Sequence, residues 1–356
     1  MTIKIGDRPL GQNHPTYFIA DIAANHDGSL ERAKMLIRLA GEAGADAAKF
    51  QNFRAPKIVS DYGFSTMNAQ VSHQAKWEKS VTEVYASASI PFEWTPILKE
   101  TCDAVGIDYF SSPYDFDAID MLESYVPAYK IGSGDITWIE ACEHIASKGK
   151  PVLLATGASD IGDVQRAVHA ILAINPDLIL MQCNTNYTAA DENFDNIHLN
   201  VLKTYRNMFP DLILGLSDHT HGHATILGAV ALGARVIEKH FTDDNDRVGP
   251  DHPFAMNPKS WAAMVKATRQ LERALGSGDK FVTENEAETV IIQRRCLRAA
   301  RDIRPGEVVA REMIDVLRPA TQGAIKPYEV QDVIGLKAIE RISAGQELRW
   351  EHFGSP

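Results

Sequence analysis

The sequence predicts an α/β protein, a (β/α)8 TIM barrel followed by a small β-rich domain. Three observations lead to this prediction: eight short apolar runs alternate with helical patterns, the chain has 356 residues, and its composition changes after residue 276. A barrel of this type takes about 250 residues, so the length leaves room for a second, smaller domain. An open doubly wound sheet is disfavoured, since no glycine-rich dinucleotide-binding turn follows the first apolar run.

Each of the eight runs is rich in β-branched and aromatic residues and ends in polar residues, which is typical of a buried parallel strand. The runs cover residues 17–23, 46–51, 107–113, 128–133, 151–157, 178–184, 212–218 and 235–241. Helical patterns between them include residues 30–44, 160–174 and 222–234, and the last two have Asp or Gly near their starts as expected caps. Because strand–helix–strand crossovers are right-handed, this alternation favours a closed barrel.

The domain boundary follows from a change in composition. We place the barrel domain at residues 1–275, a linker at 276–294 and the β-rich domain at 295–356. The last helical pattern of the barrel is followed by GSGDK and a polar stretch, which marks the boundary. Beyond it the chain has short strand-like pieces separated by the turn signals RPGE and SAGQ.

One connection, residues 52–106, is much longer than a barrel requires. Among its aromatic residues are Trp77, Tyr85, Phe92 and Trp94. Connections of this length are often lids, binding elements or oligomer contacts. The alternative is an embellishment packed against the outside of the barrel, and the sequence leaves both interpretations open.

The charge balance and the cysteine pattern exclude several classes of protein. Lys and Arg total 36 against 47 Asp and Glu, a net charge of −11 without a basic block. We therefore expect neither nucleic acid nor an anionic membrane as a partner. The four cysteines form no C-x-x-C pair, which fits a reducing compartment. With neither a signal-peptide pattern nor a run of about 18 apolar residues, we expect a cytoplasmic protein without a membrane span.

Polar residues cluster at the predicted strand ends, which meet at the carboxyl-terminal mouth of the barrel, where active sites of this fold lie. Buried parallel strands are normally apolar, so ionisable groups there require a reason. The strand-end residues are Asp21, Asn25, His26, Lys49, Gln51, Ser111, Ser112, Lys130, Ser133, Asp135, Thr156, Gln182, Asn184, Thr185, Asn186, Ser217, Asp218, His219, Glu238 and His240. Together they predict a polar active site.

Two lysines, Lys49 and Lys130, are expected at this mouth together with Ser133 and Ser217. Cations flanked by hydroxyl groups suit a substrate that carries phosphate, or phosphate and carboxylate. A Schiff-base pyruvate aldolase that uses one of the lysines as its nucleophile is the alternative, because a second cation nearby also helps to lower a lysine pKa. The residues by themselves do not separate the two.

His219 and His240 end neighbouring strands. Because side chains alternate along a strand, each points to the same side as the residue two positions earlier, Ser217 or Glu238. Two imidazoles with oxygen ligands from substrate and water predict a Mn²⁺ or Mg²⁺ site. The H-x-H-x-H run at 219–223 also permits a zinc interpretation, although its last residues begin the next helix.

A set of motifs extends along nearly the whole chain. They are FIADIAANHDG (18–28), GADAAKFQNF (44–53), YKIGSGD (129–135), VLLATGAS (152–159), LGLSDHT (214–220), IEKHFT (237–242) and GPDH (249–252). In this order the motifs resemble the sialic acid synthase family, also called N-acetylneuraminate synthases. The tail, with RPGE (304–307) and LRPA (317–320), is similar to the antifreeze-protein-like (SAF) domain appended to these barrels.

The resemblance implies a transferase of the EC 2.5.1 type. Such an enzyme condenses phosphoenolpyruvate with an N-acetylated hexose, such as N-acetylmannosamine, to a nine-carbon 2-keto-3-deoxy sugar acid and releases phosphate. The resemblance implies catalytic roles for Asp21, Lys49, Lys130 and Asp135, and metal binding by His219 and His240. The expected substrate-binding residues are Gln51, Ser133, Thr156, Asn184, Thr185, Tyr187, Ser217, Asp251 and Arg318.

The same resemblance implies a homodimer with a trans-acting C-terminal domain, because Arg318 matches the family's sugar-facing arginine, which reaches the barrel of the partner subunit. The sequence departs from the family at Asp21 and Asp135, where Glu is usual. Each loses one methylene, which moves a carboxylate by about 1 Å, and a displacement of this size matters in catalysis. A legionaminic or pseudaminic acid precursor is therefore an alternative acceptor for the same chemistry.

Overall fold

The computed structural model describes residues 2–67, 79–187 and 190–354. The chain divides into two compact units, Met1–Gly276 and Ser277–Pro356. The division falls within the stretch that the composition marks as a linker. The first unit is an eight-stranded parallel barrel surrounded by helices, and this confirms the predicted fold class.

The barrel strands follow a two-stranded hairpin, so they are numbered from β3. They are β3 (Tyr17–Asp21), β4 (Ala47–Asn52), β5 (Asp108–Pro113), β6 (Tyr129–Ile131), β7 (Val152–Ala155), β8 (Leu178–Cys183), β9 (Ile213–Asp218) and β10 (Ala234–His240). The hydrogen-bonded order is β5-β4-β3-β10-β9-β8-β7-β6, and all pairs are parallel. The end strands β5 and β6 lie side by side without a ladder between them, so the barrel is nearly closed rather than fully closed.

The hairpin, β1 (Ile3–Ile5) and β2 (Arg8–Leu10), was not predicted from the sequence. Its apolar side chains pack with Tyr17 of β3 and Phe110 of β5 in the core cluster inside the barrel. Because Tyr17 is the first residue of its strand, the hairpin covers the amino-terminal end of the barrel. The carboxyl-terminal end remains as the accessible mouth.

Eight helices of the first unit follow barrel strands and pack their apolar faces on the outside of the sheet. They are α1 (Leu30–Glu42), α5 (Trp94–Val105), α6 (Phe116–Leu122), α7 (Ile139–Ser147), α8 (Ile161–Leu172), α9 (Val201–Met208), α10 (Ala224–Ala231) and α11 (Pro258–Leu275). Side-chain caps define several starts; Asp160, for example, accepts the Asp163 N–H. In the described ranges, no helix has both the length and the apolar character needed to cross a bilayer.

The described residues of the insertion after β4 form three short helices before α5. They are α2 (Ala55–Ile58), α3 (Asp61–Thr66) and α4 (Val81–Ala88). Phe53 at the start of the insertion packs against Tyr85 of α4, with ring centroids 5.5 Å apart. Trp77, which the sequence places in the same insertion, lies outside the described residues.

The second unit has its own small core. Its strands β11 (Cys296–Ala299) and β12 (Ile314–Leu317) pair antiparallel. An isolated bridge joins Arg298 of β11 to Glu347, and other bridges link further segments of the unit to one another. The predicted linker is not purely irregular, because it contains the helix α12 (Ala287–Gln293), none of whose residues is buried. A last helix, α13 (Val330–Val333), contributes Val333 to the core of this unit.

Candidate active site

The mouth of the barrel holds a cavity of about 210 Å³. Strand ends form its floor, and the insertion forms one wall through Phe53, Ile58, Val84, Tyr85 and Ala88. A binding role for the insertion is the interpretation that this placement favours. The sequence-predicted site residues that line the cavity are Asp21, Lys49, Gln51, Lys130, Ser133, Tyr187, Ser217, His219, His240 and Asp251.

A buried network of two ammonium groups and two carboxylates lies at the centre of the floor. Lys130 Nζ donates to Glu238 Oε1 at 2.8 Å, and Ser217 Oγ donates to the same oxygen at 3.0 Å. Lys49 Nζ lies 2.7 Å from Asp21 Oδ2 and 3.8 Å from Glu238 Oε1. The four charged side chains are at most 5% exposed. One carboxylate, that of Glu238, therefore faces both lysines.

Glu238 and Lys49 keep their charges despite burial, whereas burial raises the pKa of Asp21 above its usual value. Burial by itself raises the pKa of Glu238, but the ammonium groups of Lys130 and Lys49 outweigh it and lower that pKa to about 2. Burial lowers the pKa of Lys49, but the carboxylates of Asp21 and Glu238 outweigh this effect and raise it above its usual value. Glu238 is thus a carboxylate and Lys49 an ammonium ion at neutral pH.

His219 and His240 lie next to this network with ring centroids 5.3 Å apart. Burial, together with the neighbouring imidazole of His240, lowers the pKa of His219 to about 3. Burial and the charge of Lys49 lower the pKa of His240 to about 3 as well. Tyr187 and Phe254 pack on both rings. Both imidazoles are therefore neutral, which is the form that binds metal ions.

The donor atoms of these histidines fit a divalent cation. His219 Nδ1 donates to the Asn184 carbonyl at 2.8 Å, which leaves the Nε2 lone pair as the ligand atom. His240 Nδ1 is buried and has no hydrogen-bond partner among the described residues. The nearest carboxylates, Asp21 and Asp251, lie 3.6 and 3.8 Å from the two ring nitrogens of His240.

The protein does not supply a complete set of metal ligands by itself. In the described part of the chain, no group of three or more His, Cys, Asp or Glu side chains is arranged to hold a metal ion. An ion held here needs further ligands from substrate or water.

Asp251 is held at the cavity by the loop that follows β10. Its Oδ2 accepts the Ala24 N–H at 3.2 Å, and burial raises the pKa of Asp251 to about 7. The next residue, His252, is fully buried and donates through Nε2 to Asp27 Oδ1 at 3.0 Å. Arg247 binds the same aspartate at 2.7 Å. These contacts tie the loops after β3 and β10 together and fix Asp251 over the histidines.

Three predicted substrate-binding residues of the first unit do not line the cavity. The Thr156 hydroxyl receives a hydrogen bond from Tyr205 at 2.9 Å and itself donates to the Met181 carbonyl, so it connects β7 to the outer helices. Asn184 contributes through its main chain, since its carbonyl orients His219. The Thr185 side chain lies against Gly157, where an added Cβ would come within 2.5 Å of it. Thr156 thus supports the floor from its outer side, and Thr185 packs beside Gly157.

Asp135 is displaced from the main cavity. The single turn Ser133–Asp135 carries it past the end of β6, and it lines a separate small cavity with Tyr114 and Trp138. Burial raises the pKa of Asp135 to about 6. Ser133, at the start of the same turn, stays at the main cavity and accepts the Gly157 N–H at 2.9 Å. Arg318 lies in the second unit and is exposed.

Sequence reasoning noted Glu238 at a strand end but assigned it no role, although it holds the centre of the network. Its position two residues before His240 on β10 was the available signal, because the two side chains must point to the same side. Tyr114 and Phe254 were missed. Tyr114 lines the main cavity, and Phe254 packs on both histidines. A single aromatic residue in a loop carries no pattern that marks it in a sequence.

Comparisons with known proteins agree on one family. The model of the NeuB family matches residues 36–280, and the SAF domain model matches residues 294–354. An N,N'-diacetyllegionaminic acid synthase of Legionella pneumophila is 34% identical over 354 residues, which cover 98% of this chain and 97% of that protein. A pseudaminic acid synthase of Campylobacter jejuni is 34% identical over 340 residues, 95% of this chain and 96% of that protein. The crystal structure of an N-acetylneuraminic acid (sialic acid) synthetase of Leptospira borgpetersenii matches with a TM-score of 0.71 and 28% identity, covering 82% of this chain and 95% of that one.

Proposed function

Because this chain belongs to the NeuB family of sugar-acid synthases, we propose that it condenses phosphoenolpyruvate with an N-acetylated hexose of the N-acetylmannosamine type. The product is a nine-carbon 2-keto-3-deoxy sugar acid, and phosphate is released. Membership in the family confirms the resemblance drawn from the sequence motifs. The observation that carries the proposal is the buried network of two lysines and two carboxylates beside two neutral histidines.

The lysines are the groups that bind the anionic substrate. Lys49 and Lys130 are held as ammonium ions at the floor, where they face the phosphate and carboxylate of a bound phosphoenolpyruvate. Ser133 Oγ already accepts the Gly157 N–H, so its own proton is left to donate to a substrate oxygen. Placed in this way, the two ammonium groups stabilise the negative charge that develops on the departing phosphate.

His219 and His240 would hold the divalent cation, Mn²⁺ or Mg²⁺. When all four side chains are ionised, the two lysines are matched by Asp21 and Glu238 and the set sums to zero charge. An anionic substrate therefore gains net attraction when a further positive charge is bound beside it. When bound, the cation supplies that charge and polarises the carbonyl of the acceptor sugar.

The ion pairs argue against the Schiff-base aldolase. A lysine nucleophile must be neutral, which requires a lowered pKa. Lys49 has a raised pKa because of its two carboxylate neighbours, and Lys130 donates to the ionised Glu238 at 2.8 Å. Both contacts favour the ammonium form, which binds anions and does not attack a carbonyl group.

A second acceptor class, the legionaminic or pseudaminic acid precursors, is favoured by the wall of the cavity. Phe53, Ile58, Val84 and Ala88 present apolar surface from the insertion, opposite the charged floor. The reacting carbonyl carbon of the acceptor belongs at the floor, so the far end of the sugar meets this wall. A hydroxyl group against apolar surface loses its hydrogen bonds, whereas a deoxy carbon or an acyl methyl group does not.

The test is an acceptor screen with phosphoenolpyruvate and Mn²⁺, read by phosphate release and product mass. We expect turnover with N-acetylmannosamine or with a 2,4-diacetamido-2,4,6-trideoxyhexose, and the larger kcat/KM identifies the acceptor class. Ile58→Asn is expected to reduce kcat/KM for the trideoxy sugar more than for N-acetylmannosamine if the wall selects the acceptor. Borohydride trapping of pyruvate on a lysine, without turnover of phosphoenolpyruvate, would contradict the proposal.

We also propose that the protein is a homodimer in which Arg318 completes the partner's site, as the family resemblance implies. Arg318→Ala is expected to raise KM for the sugar more than KM for phosphoenolpyruvate, because a guanidinium binds sugar oxygens through donors in fixed geometry. Mixing Arg318→Ala with Lys130→Ala after subunit exchange is expected to restore activity, since each mixed dimer regains one complete site. A mixture that stays inactive despite proven exchange shows that the tail does not act in trans.

A further inference from the structure

A second buried ion pair lies directly behind the two histidines. Lys239 Nζ donates to Asp218 Oδ2 at 2.6 Å, and the side chains are 1% and 0% exposed. Because side chains alternate along a strand, these residues point away from the cavity, between the sheet and the helical layer. Thr225 on α10 confirms this direction, since its hydroxyl donates to the same oxygen of Asp218 at 2.9 Å.

The pair lies at the carboxyl-terminal ends of β9 and β10, directly before the two histidines in sequence. Lys239 and Asp218 are partners in the ladder between β10 and β9, and they form its last pair. His219 follows β9 directly and His240 is the last residue of β10, so this ion pair joins the two residues that immediately precede the histidines. The ion pair therefore links the two backbone segments that carry the imidazoles.

Lys239 holds the backbone of His219 from both sides. Its ammonium group binds Asp218, the residue before His219, and also donates to the carbonyl of Thr220, the residue after it, at 2.5 Å. The Thr220 hydroxyl in turn donates to Asp218 Oδ2 at 2.8 Å. The segment that carries His219 is thus bound to a single cation that projects from β10, the strand that carries His240.

We propose that Lys239 and Asp218 are positioning residues that set the separation of His219 and His240 and with it the affinity for a divalent cation. This inference rests on the metal site of the proposed function. Stability by itself does not account for the pair, since a buried ion pair is often replaced by apolar residues of similar volume without loss of stability. Groups that orient metal ligands from behind typically change metal affinity by about 10–100-fold.

The test is a direct measurement of Mn²⁺ binding without substrates, by the electron paramagnetic resonance signal of free Mn²⁺. The double variant Asp218→Leu/Lys239→Met replaces the pair by apolar side chains and avoids an unpaired buried charge. We expect it to stay folded by circular dichroism and to bind Mn²⁺ with a Kd raised about 10-fold or more. Asp218→Asn, which keeps the shape of the side chain, is the second variant and is expected to raise the Kd by a smaller factor.

Tyr17→Phe is the matched control, because it removes a buried hydrogen bond to Asp108 at the start of β3, remote from the histidines. It is expected to keep the Kd of the unmodified protein. A wild-type Kd in the folded double variant, or in Asp218→Asn if the double variant does not fold, overturns the inference. Failure of the unmodified protein to bind Mn²⁺ overturns the metal site itself, so the two failures are distinguishable.

Discussion

Glu238→Gln is expected to lower the free energy of unfolding by about 3–5 kcal/mol. Glu238 Oε1 binds Lys130 at 2.8 Å and faces Lys49 at 3.8 Å, so an amide in its place leaves Lys130 without its counter-charge and removes the second carboxylate that faces Lys49. Breaking a buried ion pair from one side is costly because it leaves an uncompensated charge in the interior. Denaturant unfolding followed by circular dichroism measures the effect.

Ser217→Ala is the matched control for this prediction. It removes one hydrogen bond to the same carboxylate oxygen but leaves every charge in place. We expect a smaller loss of unfolding free energy, about 1.5–3 kcal/mol, as for a single hydrogen bond to a charged group. Circular dichroism establishes that both variants are folded. Equal losses in the two folded variants would show that the charge of Glu238 is not what the lysines require.

Removing the proposed metal ligands, His219 and His240, is expected to abolish turnover. A chelator should lower the rate at least about 10³-fold and added Mn²⁺ should restore it, because a cation that stabilises developing charge contributes several kcal/mol. In His219→Ala/His240→Ala, we expect no restoration by Mn²⁺, since the described chain offers no other cluster of metal-binding side chains. Phosphate release and Mn²⁺ titration are the measurements.

His223→Ala is the control that separates this site from the H-x-H-x-H interpretation. His223 caps α10 by position, but its side chain makes no capping hydrogen bond, and it is only half-buried. We expect this variant to keep its activity and its Mn²⁺ affinity. Loss of metal binding in His223→Ala to the same degree as in the double variant would favour zinc held by the histidine run.

The barrel was predictable because its signals are local. Each strand is a short apolar run buried on both faces, and each helix has an apolar face and, in several cases, a cap in sequence. The hairpin at Ile3–Leu10 and the helix Ala287–Gln293 were not predicted. The hairpin strands are three residues long, too short for an alternation to stand out, and the helix has no buried face.

The sequence by itself determined that several strand-end side chains face the cavity, and the tertiary structure decided which of them pair. The alternation of side chains along a strand is a local property, so Ser217 was placed on the same side as His219, and Glu238 on the same side as His240, without knowledge of the fold. The link between Lys130 and Glu238 joins residues 108 positions apart, and no local pattern encodes such a contact.

Asp135 is a residue whose position the local sequence pattern did not predict correctly. It follows β6 closely enough in sequence to be counted with the strand end, but the single turn Ser133–Asp135 redirects it to a separate cavity. Once a strand ends, the direction of a side chain depends on what the turn packs against, here Tyr114 and Trp138. Periodicity positions residues only as far as the strand continues, and beyond that point tertiary packing decides.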